Sequence, residues 1–221
     1  LNVGCIPSKA LLHVAKVLTD ARELGEAGIT FGEPQIDIDK VREFKNGVVG
    51  KLTGGLESLA KQRKVQVVRG SGRFTGPNTI AVGDTTVAFE HCIIAAGSEP
   101  ATLPFLPDDP RIVDSTGALE VDGIPERLLV IGGGIIGLEM ATVYDALGSR
   151  VTVVELLDQL IPGADKDLIR VLERRVRARY EAIHLSTGVE SVEATDDGLV
   201  VKFGDATETF DRILVAVGRK P

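Results

Sequence analysis

The stretch Arg127–Glu155 constrains the fold more than any other part of the chain. An apolar run, Leu128–Ile131, meets Gly132-Gly133-Gly134-Ile135-Ile136-Gly137; a helical pattern then runs from Ile135 to Leu147 and closes at Gly148. A second apolar run, Arg150–Val154, ends in an acid, Glu155. Glycines at such spacing are weak evidence alone, since the chain holds 25 of them. The strand before them, the helix after them and the terminal acid together predict a dinucleotide-binding βαβ unit. Gly132 permits the tight turn, Gly134 admits a pyrophosphate to the backbone, and Gly137 lets helix and strand pack closely. Gly133, Ile135 and Ile136 complete the loop, and the pyrophosphate rests on the helix N-terminus. A βαβ unit whose glycines serve packing alone is the alternative, and the context argues against it. Glu155 follows Gly137 by 18 residues, where a carboxylate accepts hydrogen bonds from ribose hydroxyls and repels a 2'-phosphate. Leu156-Leu157-Asp158 brings no arginine to offset that repulsion, so NAD is expected over NADP.

At the other end, Cys5 stands two residues ahead of Pro7, a residue suited to the first turn of a helix. The positive end of a helix stabilises a thiolate, which a redox or nucleophilic cysteine needs. Lys9, four residues on, shares a helix face with Cys5. Position alone leaves an ordinary buried cysteine as an open reading.

The remaining pattern predicts alternating helices and strands. Leu11, Ala15, Leu18, Ala21 and Leu24 mark a first helix ending at Gly25 or Gly28, with His13 on its surface. Val41, Phe44, Val48, Leu52, Leu56 and Leu59 mark a second, from Asp39 to about Lys64. Gly47, Gly50, Gly54 and Gly55 interrupt it, each at roughly 1 kcal/mol against alanine. Val65–Arg69 reads as a strand, Thr79–Val82 and Thr85–Phe89 as a hairpin around Gly83-Asp84, and Cys92–Ala96 as a buried parallel strand with Cys92 in the core. Four prolines between Pro100 and Pro110 predict an extended connection at a domain boundary. Beyond it, Asp114-Ser115-Thr116 offers a capping hydroxyl to a short helix. Asp165 caps another helix to about Tyr180, with Leu168, Leu172 and Val176 inward and its arginines solvated. His184 falls on a short strand. A hairpin through Asp196-Asp197-Gly198 and a strand over Ile213–Arg219 complete the chain.

With 43% hydrophobic and 26% charged residues the chain reads as soluble and globular. A net charge of -7 argues against nucleic acid or an anionic membrane surface as partner. The most apolar stretch, Leu128–Tyr144, is short for a membrane span and contains Glu139. Two cysteines, Cys5 and Cys92, make no secreted disulfide framework and suit a reducing, cytoplasmic setting.

Leu1-Asn2-Val3-Gly4-Cys5-Ile6-Pro7-Ser8-Lys9-Ala10-Leu11-Leu12-His13 resembles the redox-active segment of the flavin disulfide reductases. Its Ile-Pro-Ser-Lys most resembles the dihydrolipoamide dehydrogenase branch. The resemblance implies an α/β fold of doubly wound, Rossmann-like FAD- and NAD-binding domains with antiparallel β-meanders. Residues 1 to about 105 would be part of the FAD-binding domain and 106–221 the NAD-binding domain. It also implies a partner cysteine before Leu1, so the chain is expected to be an internal piece of a longer protein.

On the same basis Cys5 is the flavin-side thiol, while Gly72, Ala96, Gly97 and Ser98 lie near FAD. Lys9 and Glu139 pair at the flavin's reactive edge, Val189 and Gly218 join the cofactor-binding set, and Gly54 and Gly55 match the family. Ile135 stands where glutathione reductases carry a tyrosine, which weakens that alternative; a mercuric reductase is another. The implied activity is FAD-mediated electron transfer between NAD and a redox disulfide. It would reoxidise dihydrolipoamide on lipoyl-carrying subunits of 2-oxo acid dehydrogenase complexes, in a homodimer. The family's catalytic His comes from a C-terminal interface domain, and none of His13, His91 and His184 matches it. The segment alone is therefore expected to bind NAD without turning over a lipoyl substrate, acting only as a nucleotide-binding module.

Overall fold

The computed structural model describes residues 1–221, which divide into two compact units: Leu1–Val49 with Glu99–Lys220, and Gly50–Ser98 with Pro221. Helix α1 (Cys5–Glu23) starts after Gly4, so Cys5 itself is the first helical residue. Pro7 comes third, still within the turn whose amides have no helical partner. A tight 3-10 turn follows α1, and Gly28, in the left-handed region at φ 85°, ends the run. His13 is exposed on α1. Helix α2 (Ile38–Gln62) carries the four glycines predicted to interrupt it. A Cβ at any of them would meet nothing within 4 Å, so packing within this chain does not explain them.

In the smaller unit β1 (Gly72–Gly76), β2 (Thr79–Val82) and β3 (Thr85–Ala88) form an antiparallel sheet in that order. The β2–β3 hairpin turns at Gly83-Asp84 as expected. β1 escaped the sequence reading because glycines at both ends dilute its pattern. Two expected strands are absent. Residues 65–69 and 92–96 are unpaired, Ile93 is 92% exposed, and Cys92 is exposed rather than in a core. Their apolar runs are strand-like, but a strand needs a ladder partner, and no strand of this chain pairs with either.

The larger unit is a parallel sheet with helices on one face and a meander on the other. Its elements after α2 are β4 (Glu99–Pro100), β5 (Ile112–Val113), α3 (Ser115–Glu120), β6 (Arg127–Ile131), α4 (Ile135–Leu147) and β7 (Arg150–Val154). There follow α5 (Lys166–Arg177), β8 (Ala182–His184), β9 (Val189–Thr195), β10 (Gly198–Phe203), β11 (Ala206–Phe210), β12 (Arg212–Val215) and β13 (Arg219–Lys220). The parallel sheet has the order β5-β12-β6-β7-β8. β6 and β7 are joined through α4; the chain then returns through the antiparallel β9-β10-β11 meander to place β12 on the other side of β6. Alternation along β6 sends Leu128 and Val130 to the helices and Leu129 and Ile131 to the meander, building two cores. No helix is long and apolar enough to cross a membrane.

Two local expectations change. In α5, Leu168 is 64% exposed; the inward stripe is Ile169, Leu172 and Val176, at the i, i+3, i+7 spacing of one helix face, and Leu168 lies to the side of it. The cap of α3 is not a hydroxyl but the Asp114 carboxylate, which accepts from the amides of Thr116 at 2.8 Å and Gly117 at 2.9 Å. Asp114→Ala is therefore expected to cost about 1 kcal/mol in urea unfolding, with Asp114→Asn close to the parent. Equal stability of all three proteins would contradict the cap.

Candidate functional site

A cleft of about 810 Å³ opens where the carboxyl ends of β6, β7 and β12 meet. That is the point at which the strand order reverses, the usual ligand crevice of an open parallel sheet. Close approach dictates the glycines. A Cβ on Gly132 would run into the Ala216 carbonyl, and one on Gly137 into the Gly132 carbonyl. Gly132, at φ 107°, is also in the left-handed region. Around Gly134 a Cβ would meet nothing within 4 Å, and Gly134 lines the cleft with Ile135 and Ile136. The first intrahelical bond of α4 runs from the Leu138 amide to the Gly134 carbonyl, so the amides before Leu138 have no helical acceptor. An anion is the natural ligand for them.

Glu155, at the end of β7, is only 7% exposed. Its Oε2 accepts from the Gly133 amide at 2.6 Å and its Oε1 from the Leu157 amide at 2.9 Å. A carboxylate offers about four lone-pair sites. Two therefore remain for hydroxyl donors, and Glu155 lines the cleft. Val189 and Gly218 line it too. These residues pass the test for a dinucleotide: open space at the glycine the phosphate must approach, an anion-seeking helix end, and a carboxylate at the next strand.

The second cluster rests on the packing of α1 against α4, whose Leu11, Ala15, Leu138 and Ala141 share one core. That packing brings Lys9 Nζ to 2.6 Å from Glu139 Oε1, although 130 residues separate them in sequence. Lys9 is 60% exposed and Glu139 22% exposed in their side chains. Cys5, exposed, stands one helical turn before Lys9, and the Ser8 hydroxyl links them, donating to the Cys5 carbonyl at 3.3 Å and accepting from Lys9 at 3.4 Å. Gly72 opens β1, while Ala96, Gly97 and Ser98 follow β3 outside any helix or strand; none of the four lines the cleft. His184 packs edge-on against Phe203 and is not a cleft residue.

Among the cleft residues that sequence reasoning missed are Ser115, Ile161 and Arg219. Ser115 accepts from Arg219 at 3.1 Å, and Ile161 donates its amide to the Gly133 carbonyl at 2.9 Å. Their only sequence signals were a capping position, a glycine-arginine end to a strand and the turn-like Ile161-Pro162-Gly163.

The hydrogen bond to Glu139 is the main cause raising the Lys9 pKa above the ordinary lysine value; partial burial works against it. Because the folded value is raised, this contribution to stability is present below the ordinary lysine pKa and is lost as pH rises through the raised one. Glu139→Gln is expected to bring the Lys9 pKa down toward that of a free lysine in a lysine-detected NMR titration. An unchanged value would contradict the pairing.

The sequence profile of the family described as pyridine nucleotide-disulphide oxidoreductase matches residues 1–221. The dihydrolipoyl dehydrogenase of Vibrio cholerae serotype O1 is 56% identical over 231 aligned positions, which cover 100% of this chain and 48% of that protein. The dihydrolipoyl dehydrogenase of Haemophilus influenzae is 53% identical over the same shares, and that of Haloferax volcanii 42% identical over 100% of this chain and 49% of its own. Among solved structures, the HOCl-induced flavoprotein disulfide reductase RclA from Escherichia coli superposes with a TM-score of 0.80 at 27% identity, over 100% of this chain and 48% of that one. The chain thus spans about half the length of the relatives it matches. By its sequence profile and its fold, the chain belongs to the pyridine nucleotide-disulphide oxidoreductase family.

Proposed function

We propose that the chain is the part of a dihydrolipoyl dehydrogenase that holds NAD and the helix bearing the flavin-side thiol. The observation that carries this reading is the cleft, whose glycine loop, helix end and Glu155 together suit a dinucleotide without a 2'-phosphate. Identity of 56% to a dihydrolipoyl dehydrogenase supports the substrate class. Residues 1 to about 105 would contribute to the FAD-binding domain and 106–221 would be the NAD-binding domain.

Within this reading FAD, when bound, supplies two-electron exchange between nicotinamide and a redox disulfide. The amides at the start of α4 bind the NAD pyrophosphate, and Glu155 orients the adenosine ribose through its free lone pairs. Lys9, kept protonated by Glu139, presents a fixed cation beside the reacting edge. Cys5 acts as the flavin-side thiol, with Gly72, Ala96, Gly97 and Ser98 near FAD. Ile135, at 61% exposure, leaves the entrance above α4 lined by an aliphatic side chain rather than a tyrosine. The dithiol substrate is dihydrolipoamide on lipoyl-carrying subunits of 2-oxo acid dehydrogenase complexes, and the working protein is a cytoplasmic homodimer.

The test is turnover of the full-length protein with dihydrolipoamide, first with NAD and then with NADP. NAD is expected to be strongly preferred. Glu155→Ala is expected to shrink the ratio of the two kcat/KM values at least about tenfold, because each charge-assisted hydrogen bond lost is worth roughly 1.5–3 kcal/mol. Equal or better use of NADP by the unaltered protein would overturn the reading.

A further inference from the structure

We propose that Ile161 is a positioning residue for dinucleotide binding, whose left-handed backbone directs its amide onto the glycine loop and aims that loop's next amide at the ligand. The inference rests on the assignment of the cleft to NAD and concerns a residue outside the glycine motif.

Gly133 is held through both of its backbone polar groups. Its N–H donates to Glu155 Oε2 at 2.6 Å, and its C=O accepts from the Ile161 N–H at 2.9 Å. Above it the space is filled: a Cβ at Gly133 would lie 2.7 Å from Leu160 Cδ2, and Leu160 is fully buried in the core shared with the helices. The peptide joining Gly133 to Gly134 is planar and trans. Fixing the Gly133 C=O therefore fixes the Gly134 N–H in the opposite direction, at a glycine that lines the cleft and has open space before it.

Ile161 makes this bond from an unusual conformation. Its φ is 46°, where a β-branched residue is a marked outlier that survives only if its surroundings enforce it. They do so here. The Ala164 amide donates to the Ile161 carbonyl at 3.1 Å, and the Gln159 side-chain amide donates to the Ala164 carbonyl at 3.0 Å, closing the turn over Pro162 and Gly163. A turn alone would be served by glycine, as at Gly163 with φ 93° two residues on. An isoleucine at 161 adds a half-buried side chain that packs on the core and lines the cleft. The geometry thus ties core packing at Leu160 to the orientation of the loop that receives the pyrophosphate.

The experiment uses the full-length, FAD-loaded enzyme with Ile161 replaced by its α-hydroxy acid analogue. This converts one backbone amide to an ester, which replaces the N–H with an oxygen, weakens the Leu160 carbonyl as an acceptor and leaves every side chain unchanged. Calorimetric titration with ADP-ribose is expected to show about tenfold weaker binding, the size of one net hydrogen bond, with the loss in turnover falling on the KM for NAD rather than on kcat. A folded ester enzyme that binds ADP-ribose like its parent overturns the proposal. Hydrogen exchange in the unmodified enzyme decides the matter without any variant. The Ile161 amide is expected to exchange slowly and to slow further with ADP-ribose, whereas exchange at the rate of an exposed loop amide overturns the proposal. Failure of the unmodified enzyme to bind ADP-ribose would instead overturn the assignment of the cleft, and the role of Ile161 with it.

Discussion

Helix α4 can begin where it does because no Cβ stands at Gly132 or Gly137. With either present, the Gly132 carbonyl or the Ala216 carbonyl would have to move, and the contact between β6, the start of α4 and the end of β12 would open. Much of the larger unit follows from that contact. It sets α4 tightly on the sheet, which buries Leu138, Ala141 and Tyr144 and offers α1 a surface to pack on. It also brings the ends of β6 and β12 together on either side of the reversal in strand order, which is what makes a cleft there.

Two polar arrangements stand on this packing, and they differ in kind. Glu155 is nearly buried and braced by two backbone amides, so its carboxylate is oriented before any ligand arrives. Lys9 and Glu139 form an exposed pair, and pairs of that kind add little to stability. Their value lies in position: a cation held beside the turn that carries Cys5, on a helix locked to α4 through Leu11 and Ala15.

What the sequence disclosed and what it withheld divide along the range of the interactions. The glycine loop, its flanking strands and Glu155 were legible because each requirement is local: a turn, a close approach, an acid at the end of the next strand. The β2–β3 and β9–β10 hairpins were legible for the same reason. The nearness of Lys9 and Glu139 came from resemblance and not from spacing, since packing between α1 and α4 creates it. Ile161 showed only a turn-like neighbourhood, because its amide bonds a carbonyl in another loop. The runs 65–69 and 92–96 misled in the opposite direction: their residues suit strands, but pairing is a property of two segments, and each lacks its second. Leu168 misled because i, i+4 spacing to Leu172 and i, i+3 spacing from Ile169 both fit a helix face, and packing chose the stripe through Ile169.

The most direct test of the central claim, that the crevice between β6, β7 and β12 receives the dinucleotide, is a crystal structure of the full-length protein grown with NAD. The pyrophosphate is expected over the amides that open α4, with the adenosine ribose hydroxyls within hydrogen-bond distance of Glu155. A dinucleotide bound elsewhere, or seated in this crevice with its ribose turned away from Glu155, would contradict the account.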